Sequence, residues 1–190
     1  MKEIIIFGGP NGAGKTTAAR VLLPGLFREC VFLNADEIAR AIAPDHPESA
    51  AVGAGRLMIE RMRGLIRRGE SFVLETTCAG KSYIPMLKDC KRNGWRITLL
   101  YFWLQSPEES IARVAQRVKE GGHFIPSEVI RRRFRAGLWN MLHLYLPLAD
   151  TAKIYDNSHM PRVPVAEREA GGVIRVFDQE RWLRMEVLSQ

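Results

Sequence analysis

Short apolar runs alternate with amphipathic stretches along the whole chain. Residues 3–8 (Glu-Ile-Ile-Ile-Phe-Gly) are a β-branched run closed by glycine, which predicts a buried strand. A helix is expected from about Gly14 to near Pro24-Gly25, and Val31-Phe32-Leu33 reads as a second short strand closed by Asn34-Ala35-Asp36. Residues 49–69 carry Met58, Ile59, Met62, Leu65 and Ile66 at helical spacing and end at Gly69. Ser71 to Thr77 is a third strand with polar residues at its end. A helix over 81–93 stops at Asn93-Gly94, and Arg96 to Leu104 is a long apolar strand. Ser106-Pro107-Glu108-Glu109 combines a capping serine, a proline at the first helical position and acids in the first turn. The helix it opens has Ile111, Val114, Ala115 and Val118 as its core face and breaks at Gly121-Gly122. A further helix runs from Pro126-Ser127 to about Tyr145, with Ile130, Phe134, Leu138, Met141 and Tyr145 on one side. Ala152 to Asp156 is a fifth strand and Val173 to Phe177 a sixth. The stretch 158–172, with Pro161, Pro164 and Gly171-Gly172, reads as the loosest segment.

Strands and helices that alternate through short connections give a mainly parallel sheet, here of 5–6 strands, with helices on both faces. No internal repeat or low-complexity linker divides the 190 residues, so a single domain is expected. Within it, about 106–135 reads as a helical lid and about 160–190 as a C-terminal strand and tail.

The first strand runs into Gly9-Pro10-Asn11-Gly12-Ala13-Gly14-Lys15-Thr16, a full G-x-x-x-x-G-K-[ST] pattern between a strand and a helix. The residue types suit phosphate. Glycines let the backbone wrap an anion and aim several N–H groups at it, and the helix N-terminus adds partial positive charge. In such loops the lysine, here Lys15, reaches the β- and γ-phosphates and the hydroxyl, here Thr16, ligates Mg²⁺; Thr17 follows in the same turn. ATP or GTP with Mg²⁺ is the implied ligand, and the fold class becomes a three-layer P-loop NTPase. A chance glycine-rich turn would not also have strand and helix in register.

In an open α/β sheet, ligands lie at the carboxyl ends of the strands. The second strand ends at Asp36, the third at Glu75-Thr76-Thr77 and the fifth at Asp156-Asn157-Ser158. Asp36 can take a proton from a substrate hydroxyl or hold Mg²⁺ through water. It can equally serve as the N-cap of a helix over 37–43, and the two roles are compatible. Glu75 emerges from a buried run where a substrate would lie; a lone surface glutamate is the plain alternative. Asn157 and Ser158 either approach the nucleotide base or form an ordinary turn.

Charge sharpens this reading. The chain is formally +7 with a pI near 9.7, a balance suited to anionic ligands. Residues 113–135 hold Arg113, Arg117, Lys119, Arg131, Arg132, Arg133 and Arg135 against Glu120 and Glu128. Such runs are usually solvated helix surface. Beside a phosphate loop they also suit the arginines that stabilise a transferring phosphoryl group, with Gly121-Gly122 as a hinge and His123 in the turn. The three cysteines, odd in number and irregularly spaced, suggest reduced thiols in a cytoplasmic protein. No apolar run is long enough for a membrane span, and the N-terminus shows no secretory pattern.

Taken together, Gly9 to Thr17, Leu-Asn-Ala-Asp (33–36), Leu-Glu-Thr-Thr (74–77), Arg-Val-Lys-Glu-Gly-Gly-His-Phe-Ile-Pro (117–126), Ile-Arg-Arg-Arg-Phe (130–134) and Tyr-Asp-Asn-Ser (155–158) resemble the zeta-toxin-like P-loop kinases over about residues 1–160. The resemblance implies a phosphotransferase acting on a hydroxyl of a small metabolite. In zeta toxins that is the amino-sugar 3′-hydroxyl of UDP-N-acetylglucosamine, with ATP or GTP as donor. Carried onto this sequence, Lys15, Asp36, Arg117 and Arg133 are catalytic, with Asp36 as base. Gly9 to Thr17, Arg113 and Asn157 hold the nucleotide, Thr16 the metal, and Asp36, Glu75, Thr76 and His123 the acceptor. Zeta toxins carry an arginine just before the lid proline; His123 takes about that place here. An antitoxin protein enters as a partner by the same resemblance, and a membrane does not. Two further readings stay open: an RNA-end kinase, which the charge favours but which lacks an evident row of stacking aromatics because Trp95, Trp103 and Trp139 are scattered and mostly at core-like positions, and a regulatory nucleotide-binding module without catalysis.

Overall fold

A computed structural model describes residues 2–22, 30–44, 46–122 and 124–190. β1 (Glu3–Gly8) is the centre of the sheet, and Ile4, Ile5, Ile6 and Phe7 are all buried, as a strand covered on both faces requires. The sheet has seven strands in the order β2-β3-β1-β4-β5-β6-β7. These are β2 (Val31–Asn34), β3 (Phe72–Thr76), β4 (Arg96–Trp103), β5 (Thr151–Asp156), β6 (Val163–Arg168) and β7 (Ile174–Val176). The first five run parallel; β6 and β7 are antiparallel.

Two strands follow β5 where one was expected, and the first of them lies in the segment read as loose. The signal was hidden by Pro164, which cannot donate to a ladder. It is tolerated because β7 pairs only with Ala166 to Arg168, leaving Pro164 without a strand partner on that side while it faces Tyr155 of β5 on the other, and because the register shifts between Ile154 and Tyr155.

The helices are α1 (Lys15–Leu22), α2 (Ala35–Ile42), α3 (Ala51–Arg68), α4 (Ile84–Arg92), α5 (Pro107–Lys119), α6 (Ser127–Asn140), the short α7 (Leu146–Leu148) and α8 (Gln179–Leu188). A π-turn over Met141–Tyr145 joins α6 to α7, and a 3-10 turn over Pro47–Ala50 precedes α3. The expected end of α1 at Pro24-Gly25 lies outside the described residues. The predicted cap at Ser106 is present: its side chain accepts from Glu109 N at 3.1 Å. Asp36 is not a cap. Asn34 caps α2 by accepting from Asp36 N at 2.8 Å, so the helix begins two residues earlier and Asp36 sits inside its first turn with its carboxylate uncommitted to that cap.

One core holds both faces of the sheet, including Met58 and Met62 of α3, Leu87 of α4, Phe134 and Leu138 of α6 and Met185 of α8. Val114, Ile125 and Ile130, with Ile111, Val118 and Val129 against them, form a second, small cluster that ties α5 to α6. Trp95 and Trp103 are buried as expected; Trp139 is not, being 39% exposed.

Candidate active site

The phosphate loop occupies the carboxyl end of β1, at the centre of the sheet. Its first residue must be glycine: Gly9 has φ +145, and a Cβ there would come within 2.2 Å of the Phe102 carbonyl oxygen on β4. The loop folds back through Ala13 N, which donates to Pro10 O at 3.2 Å. Two neighbours brace it from outside. Ser110 Oγ on α5 donates to the Asn11 carbonyl, and Asn157 Nδ2 after β5 donates to the Ala13 carbonyl at 2.8 Å.

Lys15 opens α1 and is buried, at 8% exposure. Its ammonium donates to the carbonyls of Gly9 and Pro10, both at 2.9 Å. Burial pulls its pKa below the ordinary lysine value, and the Arg117 charge adds to that; the carboxylates of Glu75 and Asp36 oppose it. Thr16 comes next, its hydroxyl donating to Glu75 at 2.8 Å (Oε2) and 3.1 Å (Oε1). Burial pushes Glu75 above the usual carboxylate range, against the pull of Lys15 and the Thr16 bond. Thr17, grouped with the loop by its sequence, is exposed one residue further along α1.

Beside the loop opens a cavity of about 420 Å³. It draws Lys15 from α1, Asp36 from α2, Glu75 and Thr76 from β3, Tyr83 from the turn before α4, and Arg132 and Arg133 from α6. Elements far apart in sequence thus bring two carboxylates and three cations to one space. The stretch after β3 that lines it is clamped by α6 and the π-turn that follows. Asn140 Nδ2 donates to the carbonyls of Cys78 (2.8 Å) and Ala79 (3.0 Å), and Tyr145 Oη donates to Gly80 O at 3.0 Å. A Cβ on Gly137 would meet the Thr77 carbonyl at 2.3 Å, so only glycine lets the helix approach this closely. Cys78, wholly buried with φ +59, has its thiol pushed up to about 12 by burial. That places it among the packing residues rather than the nucleophiles.

Of the residues picked from sequence, Lys15, Asp36, Glu75, Thr76 and Arg133 share this cavity. Thr16 adjoins it through Glu75. Arg113 and Asn157 lie on the other side of the loop: Arg113 Nη2 donates to Ser158 O at 2.6 Å and pairs with Glu109 at 3.0 Å, and its Cβ lies 3.0 Å from where a side chain on Gly12 would begin. Arg117 is exposed but near enough to Lys15 to act on it electrostatically. Arg131 turns away to Glu108, at 3.4 Å. His123 lies outside the described residues. Sequence reading passed over Asn34, Ser82, Tyr83 and Arg132 as cavity residues and Ser110 as a brace for the loop. Asn34 was legible, since an Asx residue between a strand and a helix is a capping signal. Tyr83 and Ser110 carried none.

The site suits Mg²⁺ in one specific way. Among the described residues no group of three or more His, Cys, Asp or Glu forms a metal cage. What exists is a hydroxyl and a carboxylate in contact, Thr16 and Glu75, next to a phosphate loop. That is a hard oxygen set sufficient for an ion that keeps several waters and takes its remaining ligands from phosphate.

Comparison with known proteins agrees with this geometry. The sequence model of the family described as "Zeta toxin" matches residues 1–163. The chain belongs to the zeta toxin family. An uncharacterised protein of Haemophilus influenzae is 34% identical over 134 residues, covering 70% of this chain and 92% of that protein. Crystal structures of the AvrRxo1-ORF1:AvrRxo1-ORF2 complex superpose with TM-scores of 0.76 (with sulphate ions, 19% identity) and 0.73 (with ATP, 20% identity). They cover 100% of this chain, which spans only 63% of theirs. A structure from the PezAT chromosomal toxin–antitoxin system of Streptococcus pneumoniae has a TM-score of 0.61 at 20% identity, covering 87% of this chain and 70% of that one. At such identities these structures establish the fold, a P-loop kinase fold, and the AvrRxo1 match includes the two antiparallel strands and α8 that lie past the family match. No helix among the described residues is long and apolar enough to cross a membrane.

Proposed function

We propose that the protein is an ATP- or GTP-dependent kinase that transfers the γ-phosphoryl group to a hydroxyl of a small metabolite held in the 420 Å³ cavity. The observation that carries this reading is the convergence of Lys15, Asp36, Glu75 and Arg133 there. The family likeness supports a sugar nucleotide such as UDP-N-acetylglucosamine as the acceptor. PezAT, a toxin–antitoxin system, supports an antitoxin-like protein as partner, and the AvrRxo1 complex with ATP supports that donor.

The roles follow from position. Lys15 leaves the Gly9 and Pro10 carbonyls for the β- and γ-phosphates, a better partner for a buried ammonium. Asp36 takes the proton of the acceptor hydroxyl as its oxygen attacks the γ-phosphorus; the bond from that phosphorus to the β,γ-bridging oxygen breaks, and the nucleoside diphosphate leaves. Arg133, Arg132 and Arg117 offset the charge spread over the transferring group. Thr16 would hold a bound Mg²⁺ through its hydroxyl and Glu75 would hold its water shell, and the ion would supply charge neutralisation for the phosphates.

The Glu75 role gives a pH dependence. Only the ionised carboxylate can order that shell, and a raised pKa keeps the acid form present at higher pH. Turnover is therefore expected to fall on the acid side above the ordinary glutamate range near 4.5. Glu75→Gln should remove that limb and weaken Mn²⁺ binding to the ATP complex, read by electron paramagnetic resonance. An unchanged acid limb in Glu75→Gln contradicts the assignment.

A nucleic-acid end as acceptor draws support from Trp139. It is 39% exposed, one helical turn from the cavity residue Ala136, with Lys81 Nζ 4.9 Å and the His143 ring 4.7 Å from its ring centroid, so a base would stack there by displacing one of them. Incubation with ATP and Mg²⁺ against UDP-sugars, nucleosides and RNA ends, scored by mass for an added phosphate, separates the two acceptors. UDP-sugars are expected to react. Labelling of RNA ends alone transfers the reading to the second acceptor, and labelling of none overturns it.

A further inference from the structure

The chain continues past the family match at residue 163 into most of β6, β7 and α8. These residues return to the donor side of the site. Asp178 caps α8 by accepting from Arg181 N at 2.9 Å. The Arg181 side chain then turns toward the sheet: Nη1 pairs with Asp178, and Nε donates to Asp156 Oδ2 at 2.9 Å. Asp156 ends β5 and its side chain is 2% exposed, whereas that of Arg181 is 30% exposed. Gln105 Nε2 donates to the same carboxylate oxygen at 2.8 Å, and Ser158 N donates to the other at 2.9 Å. Arg184 Nη1 holds Gln105 from behind at 3.2 Å. Burial would raise the Asp156 pKa; these bonds, from Arg181 first, outweigh it and keep the group ionised below the usual range.

Of the residues directly after Asp156, Asn157 bonds the phosphate loop itself and Ser158 bonds the start of α5 beside it. Asn157 donates to the Ala13 carbonyl at 2.8 Å, and Ser158 O receives Arg113 at 2.6 Å while Ser158 Oγ donates to Glu109 at 2.8 Å. Asp156 is therefore the pivot of a turn whose far side braces the loop. Its full charge, almost wholly buried, needs a cation; neutral donors alone leave it poorly compensated, and the turn must then rearrange to reach water.

We propose that Arg181 is a positioning residue for the nucleotide donor: by neutralising Asp156 it fixes the 156–158 turn, and through Asn157 and Arg113 the shape of the phosphate loop, which makes the C-terminal helix a working part of the donor site. This rests on the reading of residues 9–16 as a nucleotide site. Arg181 touches no substrate and acts through its neighbours. The alternative is a clamp that contributes to stability alone.

ATP binding measured by calorimetry, well below the unfolding midpoint, separates them. Arg181→Met is expected to raise the ATP Kd about tenfold, the scale of a broken coupled network. Arg181→Lys, which can still meet Asp156, should stay within about threefold. Asp156→Asn/Arg181→Met removes the buried charge together with its cation and leaves only the partly exposed Asp178 without its partner, and so guards against simple misfolding; it should also weaken ATP binding, because the turn loses its ionic anchor. The control is Met185→Ala on the same helix, buried in the main core at 0% exposure and with no side-chain hydrogen bond or charge to offer Asp156. It should lower the unfolding midpoint and leave the ATP Kd unchanged. Wild-type ATP affinity in Arg181→Met, or an equal loss of affinity in Met185→Ala, overturns the proposal. Absence of ATP binding by the unsubstituted chain would remove the nucleotide reading itself and this proposal with it.

Discussion

With Lys15 replaced by alanine, ATP turnover is expected to fall to background, a loss of about a thousandfold or more. The ammonium is buried at the head of α1 and held by two carbonyls of its own loop, and on the proposed reading it exchanges them for the β- and γ-phosphates. The substitution should leave the fold intact: Lys15 bonds only Gly9 and Pro10 among the side-chain contacts described, and Ala is a good helix former at that position. Circular dichroism checks the fold and a coupled assay the turnover. Normal turnover in the variant contradicts the donor half of the site.

Asp36→Asn is expected to separate binding from chemistry. General-base catalysis is worth roughly a hundredfold to ten-thousandfold, so transfer to the acceptor should fall within that range or beyond. ATP affinity should change little, since the phosphate loop does not use the Asp36 side chain. The variant keeps α2, because the cap bond runs from Asp36 N to Asn34 Oδ1 and needs no carboxylate. This distinction exists only because the cap lies at Asn34; with Asp36 as the cap, loss of activity and loss of helix would be confounded. Product formation at the wild-type rate removes Asp36 as the base.

The donor half was legible in the sequence because its chemistry is local. Nine consecutive residues hold the glycines, the lysine and the hydroxyls, and a strand and a helix flank them. Asp36 and Glu75 were legible for a related reason: each follows a buried apolar run, and strand ends in a parallel sheet converge. Which arginine faces the cavity was not. Arg131, Arg132 and Arg133 are adjacent, and only the rotation of α6, set by Ile130, Phe134 and Leu138 turning into their cores, sends two of them to the cavity and one to Glu108. The braces of the loop were hidden because they are non-local: Ser110 meets Asn11 across 99 positions, and Asn157 meets Ala13 across 144. β6 was hidden by Pro164, whose strand context depends on a partner that covers only half of it. Exposure of Trp139 was legible in the helix's periodicity, because Ile130, Phe134, Leu138, Met141 and Tyr145 form the buried face and position 139 falls off it.

The account turns on transfer rather than mere nucleotide binding or hydrolysis. The direct measurement is the fate of the γ-phosphate of labelled ATP in the presence of Mg²⁺ and a UDP-sugar, with the unsubstituted protein and Asp36→Asn run side by side. The account predicts that the unsubstituted protein moves the label onto the sugar nucleotide and that Asp36→Asn, still binding ATP, does not. Label recovered only as inorganic phosphate, or equal transfer by both proteins, would contradict it.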